Sequence, residues 1–363
     1  MSTTRLDSET LERFAAALLE TYGAPETHAE RVARSLVLAD ASGHTSHGVL
    51  RVPYYGDLIA DGVLDPTATP TVDRSTATTV KMDGRDAFGQ VVGRDAVAAL
   101  TERARDGVAV VGLRDATHLG RVGEWAERVA DEGLLFAAFV NSQGGGHTVA
   151  PAGSATRRLS TNPIAFGIPA FDALEFDLVL DMATSQVAHG KIREREATGD
   201  PIPEGWTTDE AGEYFLDAAA FEAGEGALMP LGGEVAGYKG FGLSLVAELF
   251  AGLVGDGLVA GEREPGFSNN AAAFVAVDPL AFTTRTRARE RLDALTDHLA
   301  EADYGGGPSA GVAAKGEGKL PGEPEFESRA RAREDGVAIP DRIFERLRDV
   351  ATDRGVAGAV PER

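Results

Sequence analysis

The chain contains no cysteine, which excludes disulfides, thiolate metal sites and a cysteine nucleophile. Lysine is scarce as well. Only Lys81, Lys191, Lys239, Lys315 and Lys319 occur, and 35 basic residues face 57 acidic ones for a net charge of -22. A chain this acidic, with no basic stripe, repels phosphate, so nucleic acid is not an expected partner. No run of eighteen apolar residues occurs, and residues 1–22 lack the charged start and unbroken apolar core of a signal peptide. A cytoplasmic protein with no membrane partner is expected. Familiar motifs are missing too. There is no strand followed by G-x-G-x-x-G, no P-loop, no G-x-S-x-G elbow set between a strand and a helix, and no H-E-x-x-H. A Rossmann cradle, a serine hydrolase and a metal site therefore all lack support.

What is present is ordinary in bulk. Hydrophobic residues at 43% and charged residues at 25% match soluble globular domains, which argues against both disorder and a fibrous repeat. A length of 363 residues points to roughly two domains. The acidic, lysine-poor balance has a halophilic character. Self-repulsion of this size opposes the compact state in dilute buffer, whereas at molar salt the screening length falls to about 3 Å. Loss of fold or activity at low salt is expected.

Asp7 and Ser8 cap a helix whose Leu11, Phe14, Ala15, Leu18 and Leu19 follow the i, i+3, i+4, i+7, i+8 pattern. A second helix starts near Pro25 and ends by Gly43, which leaves Ser46 and His47 just beyond a helix end. A short third helix follows Pro53, and the Pro- and Thr-rich residues 65–79 read as a connector. Apolar runs at 108–113, 134–140, 164–168, 178–182 and 272–277 have strand length, while 91–105 and 122–131 read as helices. That is an α/β domain. Residues 235–255 read as a buried helix entered through glycines, and residues beyond 282 as helical and charged, interrupted by a glycine-rich segment at 305–322. A helical domain from residues 1–75, a cofactor-binding α/β domain over 76–300 and a return to the helical domain over 301–363 are expected.

Five separated stretches carry a polar group beside glycine or proline: Ser46-His47-Gly48 to Arg51, Thr117-His118-Leu119-Gly120, Thr161-Asn162-Pro163, Asp181 to Lys191, and Gly237-Tyr238-Lys239-Gly240. Each alone is weak, because glycine commonly marks a turn. Together they suggest one site built from several elements.

These residues resemble the malate/L-lactate dehydrogenase family of sulfolactate dehydrogenase type, which includes ureidoglycolate dehydrogenases, diketogulonate reductases and cyclic-imine reductases. The resemblance rests on Ser46-His47-Gly48-Val49-Leu50-Arg51-Val52-Pro53, His118-Leu119-Gly120, Val149-Ala150-Pro151 and Thr161-Asn162-Pro163-Ile164-Ala165-Phe166. It continues through Leu180-Asp181-Met182-Ala183-Thr184-Ser185, His189-Gly190-Lys191, Gly237-Tyr238-Lys239-Gly240-Phe241-Gly242-Leu243 and Gly316-Glu317-Gly318-Lys319-Leu320-Pro321-Gly322. It covers nearly the whole chain in order. It implies a NAD- or NADP-dependent oxidoreductase with a non-Rossmann α/β fold, a central mixed-sheet cofactor domain beside a helical domain from both chain ends, and a homodimer. The implied reaction moves a hydride between nicotinamide and a small 2-hydroxy or 2-oxo acid such as malate or L-lactate. The alternative is reduction of cyclic imines or diketo sugar acids on the same fold.

Within that resemblance Arg51 is expected to anchor the substrate carboxylate, since a guanidinium grips it through two parallel bonds. His118 and His47 compete for the acid/base role, because imidazole titrates near neutral pH. His118 is favoured as base, with His47 orienting substrate or relaying a proton through Ser46. For the nucleotide the resemblance points to His118, Leu119, Gly120, Ser142, Thr161, Asn162, Asp181, Met182, Lys239, Gly316, Glu317 and Gly318. The start of the helix after Gly120 offers backbone N–H groups to a pyrophosphate. Lys191 bears on substrate: imine-reducing relatives resemble aspartate there, hydroxy-acid dehydrogenases lysine. Leu119 in place of phenylalanine and Gly43-His44-Thr45 in place of Gly-x-Asp depart from the family's pattern.

Overall fold

The structure is a computed structural model that describes residues 2–105, 107–262, 269–302 and 318–361. A short edge strand, β1 (Thr3–Leu6), leads into α1 (Ser8–Thr21), where the Asp7 carboxylate accepts the Thr10 amide. Leu11, Phe14, Ala15, Leu18 and Leu19 are buried as their spacing requires. Helix α2 (Glu26–Ala41) follows Pro25, and a single 3-10 turn at Thr45–His47 joins it to α3 (Arg51–Ala60).

The chain then enters a sheet through β2 (Thr71–Ser75) and β3 (Thr79–Asp83), followed by α4 (Gly89–Ala104), β4 (Val108–Ala116) and α5 (Gly123–Asp131). Strands β5 (Leu135–Asn141), β6 (Ile164–Ile168) and β7 (Leu178–Met182) come next. A small lobe of α6 (His189–Thr198), β8 (Thr207–Thr208), α7 (Ala218–Glu222) and β9 (Ala227–Leu228) precedes α8 (Gly233–Gly255) and β10 (Asn270–Val277). Helices α9 (Arg285–Ala300) and α10 (Glu323–Asp335), strand β11 (Val337–Pro340) and helix α11 (Asp341–Asp353) complete the described chain.

The seven-stranded sheet has the order β2-β3-β4-β10-β5-β6-β7, with β3 and β4 parallel and the other neighbours antiparallel. On one face Phe136, Ala138, Val140 and Phe274 pack with Trp125 and Ala126 of α5 and with α4. Helix α8 covers the other face, where Phe139 meets Phe250 at 4.5 Å between ring centroids. A glycine makes that crossing possible: a Cβ on Gly112 of β4 would lie 2.0 Å from the Val254 carbonyl.

A second apolar cluster joins α1, α2 and α3 to β11 and α11, and β1 pairs with β11 antiparallel. The helical part is thus built from both chain ends. A third cluster, around Val149, Leu159, Ile192, Phe221 and Leu228, holds the small lobe together.

Two expectations change. The connector at 65–79 carries strand β2, whose TVDRS sequence is wholly exposed at a sheet edge and so shows no apolar alternation. The helix at 235–255 is buried on one side only: Val235 is 93% and Leu253 77% exposed, because apolar residues occupy both faces while the sheet covers one.

Candidate active site

Three elements meet where the helical part packs against the sheet. The α2–α3 turn brings Ser46 and His47, α3 brings Arg51 and Tyr55, and the end of β4 brings His118. The turn is folded tightly against α2. A Cβ on Gly48 would fall 2.1 Å from the Asp40 carboxylate, which accepts the Val49 amide at 2.8 Å. Burial pushes that Asp40 carboxyl up to about 8. The His118 loop is equally held. Thr117 Oγ1 donates to the Ala87 carbonyl at 2.8 Å, Asn270 Oδ1 accepts the Leu119 amide at 2.9 Å, and Trp125 Nε1 donates to the Leu119 carbonyl at 3.2 Å. Gly120 has φ +78°, a backbone that favours glycine.

The two imidazoles stack, with ring centroids 5.4 Å apart and planes 17° from parallel. Ser46 Oγ lies 3.0 Å from His47 Nδ1, and the Tyr55 hydroxyl lies 2.9 Å from His118 Nδ1. Arg51 Nε donates to the Ser46 carbonyl at 2.7 Å, and its guanidinium sits 5.3 Å from the Tyr54 ring. No carboxylate pairs with Arg51 among the described residues. Burial, then the charge of Arg51, push His47 down to about 3 and His118 well below the ordinary histidine value. Both rings are therefore neutral at pH 7, with each keeping an edge open to solvent.

The remaining predicted residues fall elsewhere. Asp181 Oδ2 accepts the Gly123 amide at 2.7 Å and so occupies the start of α5. One backbone donor expected there for a pyrophosphate, the Gly123 amide, thus already has a carboxylate. Burial raises the Asp181 carboxyl, and the neighbouring Arg121 opposes that rise. Met182 closes β7 opposite Ile164. Asn162, in a left-handed conformation at φ 34°, turns its amide inward: Nδ2 donates to Glu248 Oε2 at 2.7 Å and to Ser244 Oγ at 3.1 Å, and Oδ1 accepts from Ser160 at 2.5 Å. Its side-chain amide is bonded to α8. The carbonyl of Thr161 accepts the Thr184 amide at 2.9 Å, and the Ser142 carbonyl accepts the Gly145 amide at 2.9 Å.

Lys191 is not brought to the imidazoles. A Cβ on its neighbour Gly190 would lie 3.0 Å from Ser46 Cβ, yet the Lys191 ammonium pairs outward with Glu194 at 2.9 Å, one helical turn on. Lys239 is exposed on α8, its ammonium 5.9 Å from the Tyr238 ring. Gly316 and Glu317 lie outside the described residues, and Gly318 sits in a turn with φ +70°. Other histidines have partners of their own: His28 with the Pro66 carbonyl, His44 with Glu325 and His189 with Glu222.

Sequence reasoning missed Tyr55, Gln90, Arg121 and Arg193. Tyr55 is four residues after Arg51 and shares its helix face, a spacing that equally describes a core residue. The Gln90 side-chain amide lies 2.6 Å from the Tyr55 hydroxyl, inside an apolar helix start. Arg121 is buried at 3% exposure beside Glu127, its Nε without an acceptor among the described residues. Arg193 acts on the charge of both Arg51 and His118.

A cation with no acid partner among the described residues, set beside two imidazoles on a mixed sheet, differs from the parallel Rossmann architecture and suits acid/base work on a small anion. Comparison with known proteins agrees. The malate/L-lactate dehydrogenase family model matches residues 6–348. The L-sulfolactate dehydrogenase of Methanocaldococcus jannaschii is 30% identical, covering 97% of each chain. The Δ1-pyrroline-2-carboxylate reductase of Ancylobacter novellus is 33% identical over 90% of this chain and 91% of that protein. The crystal structure of malate dehydrogenase from Entamoeba histolytica superposes with a TM-score of 0.88 at 25% identity, covering 98% of this chain and 99% of that one. The chain belongs to the malate/L-lactate dehydrogenase family and is a dehydrogenase of the 2-hydroxy-acid type.

Enzymes of this family use nicotinamide cofactors, and the residues here fit one in part. The orphaned Arg121 Nε is a buried donor that a carboxamide or phosphate oxygen of such a cofactor would satisfy. The exposed Lys239 has no carboxylate partner among the described residues. At the start of α5 the Gly123 amide is already bonded to Asp181, which sets a carboxylate where a phosphate was expected.

Proposed function

We propose that the protein oxidises a small 2-hydroxy acid such as malate or L-lactate, with Arg51 holding the carboxylate and His118 taking the hydroxyl proton. The observation that carries this reading is Arg51 itself. In an acidic chain, this guanidinium has no acid partner among the described residues yet is fastened by its Nε to the Ser46 carbonyl. A half-buried cation of this kind is preorganised for an anion supplied from outside. The two neutral imidazoles beside it supply a base at the hydroxyl end of the same small molecule.

Binding that anion also readies the base. Burial chiefly, and the Arg51 charge after it, depress both imidazoles, so a carboxylate paired with Arg51 offsets the second part of this depression and makes His118 more basic when substrate is present. His47, stacked on His118 and bonded to Ser46, orients the substrate and offers a second proton path. A bound nicotinamide nucleotide supplies the hydride acceptor. Lys239 is the chain's candidate for its phosphate or ribose, as NAD or as NADP, with Asp181 and the 118–120 loop nearer the ring.

We also assign a cytoplasmic, salt-dependent homodimer. Its support is the exposed apolar side of α8, including Val235, Tyr238, Leu249 and Leu253, which is the kind of patch that a second copy covers. By length and composition α8 is the one described helix apolar enough to cross a membrane, but one of its faces lies on the sheet.

Reduction of cyclic imines is the second reading. The 33% identity to a pyrroline-carboxylate reductase favours it, and such a substrate presents the same carboxylate to Arg51. The test is a pair of assays in molar salt: NAD(P)H formation with a panel of 2-hydroxy acids, against NAD(P)H consumption with cyclic imines. Turnover confined to the imines would overturn the hydroxy-acid reading.

A further inference from the structure

The basicity of His118 depends on which of its nitrogens carries the proton, and the chain controls that from behind. Nδ1 is taken: the Tyr55 hydroxyl lies 2.9 Å away. Tyr55 is itself fully buried and touched on its other side by the Gln90 amide at 2.6 Å. Nε2 is therefore the nitrogen of His118 left for substrate.

We propose that Tyr55 and Gln90 are positioning residues that fix the tautomer of His118, so that Nδ1–H donates to the Tyr55 oxygen, the Tyr55 hydroxyl donates to the Gln90 amide oxygen, and Nε2 is bare. The inference rests on the hydroxy-acid reading for its chemistry but not for its geometry. A phenol has one proton for two neighbours. If it went to His118 Nδ1, the neutral ring would carry its proton on Nε2 and face a substrate hydroxyl with a donor, where oxidation needs an acceptor. Turning the proton towards Gln90 solves this, and that amide holds the one group nearby in need of a donor: Oε1 is buried without a partner among the described residues. The amide orientation that meets Tyr55 with oxygen satisfies it, and the two ends of an amide occupy nearly the same space.

Tyr55 orients without relaying. Burial pushes its hydroxyl well above the ordinary tyrosine value, so it keeps its proton throughout. The proton balance is then simple. As the substrate C–H leaves as hydride, for which a bound nicotinamide nucleotide would be the acceptor, and C=O forms, the hydroxyl proton goes to Nε2, giving an imidazolium whose Nδ1–H still points at Tyr55. A neutral phenol in this place, unlike a carboxylate, adds no charge to favour the imidazolium. That suits a ring which is to remain unprotonated until substrate arrives.

The test reads the tautomer and the kinetics separately. In ligand-free protein labelled with 15N-histidine, with His118 assigned by loss of its signal in His118→Asn, the expected signature is protonated Nδ1 and bare Nε2. A ring protonated on Nε2 overturns the proposal, whatever the enzyme turns over. Tyr55→Phe is expected to shift the tautomer towards the mixture of free imidazole and to lower kcat by about 10- to 100-fold, with substrate KM within about twofold and nucleotide affinity unchanged. Gln90→Leu is expected to do the same more weakly and serves where Tyr55→Phe does not fold. An unchanged tautomer in both variants, or kcat falling only in step with lost nucleotide binding, overturns it. Failure of the hydroxy-acid reading is distinguishable, because it shows in the substrate panel and leaves the wild-type tautomer as predicted.

Discussion

The proposed substrate half of the site and the proposed nucleotide half are built differently. On the substrate side, residues from one turn, one helix and one strand end converge, each fastened by hydrogen bonds: Arg51 to Ser46, Ser46 to His47 and His118 to Tyr55. On the nucleotide side the expected residues are either satisfied internally, as Asn162 and Asp181 are, or exposed, as Lys239 is. A rigid anchor beside neutral bases suits recognition of a small anion, where a misplacement of one ångström is costly. A large nucleotide needs less from each contact and can use main-chain groups spread along several elements.

Three substitutions break or sharpen that contrast. Arg51→Ala has the largest expected effect: kcat/KM for the acid falls about a thousandfold, the scale of losing a charged partner in a partly buried site. Nucleotide affinity, read by NAD(P)H fluorescence titration, stays unchanged. An intact kcat/KM would remove the anchor role. Gly48→Ala comes next. Its Cβ would meet the Asp40 carboxylate at 2.1 Å, so a destabilisation of about 1–3 kcal/mol is expected, measured by denaturant unfolding, together with a loss of turnover as Ser46 and His47 shift. Stability equal to wild type would contradict that packing. Lys239→Ala is the smallest, raising the KM for the nucleotide severalfold while the KM for the acid stays put. A change in the acid's KM alone would move Lys239 to the substrate half.

How much of this was legible in the sequence varied with the signal each element carries. The strands Ile164–Ile168 and Leu178–Met182 were read to the residue, because short apolar runs bounded by Pro, Gly and polar residues have one reading. Strands β1 and β11 were not, since TTRL and VAIP are too short to show a period and pair only because the chain ends meet. The small lobe escaped for the same reason, its strands being two residues each. Helix α8 was recognised, but apolar residues on both sides hid which face the sheet covers.

In the site, Ser46, His47, Arg51 and His118 were legible as types suited to proton transfer and anion binding, and the fold brings them together. Lys191 was equally suggestive by type, yet three residues separate it from Glu194 on a helix, and that local pair takes its charge outward. Tyr55 and Gln90 were invisible, because a tyrosine and a glutamine within apolar helix patterns declare nothing until their partners are known.

The central claim is that a neutral imidazole works beside a cation which the substrate itself neutralises. The pH dependence of oxidation tests it most directly. An imidazole held well below its ordinary value stays unprotonated as pH falls through neutrality, so kcat/KM, which reports the free enzyme, is expected to show no fall through about pH 6.5. In the complex the carboxylate offsets Arg51 and raises the imidazole, so kcat is expected to fall at a higher pH than kcat/KM does. If kcat/KM instead falls through about pH 6.5, the value of a free histidine, or if both parameters fall together, the account is contradicted.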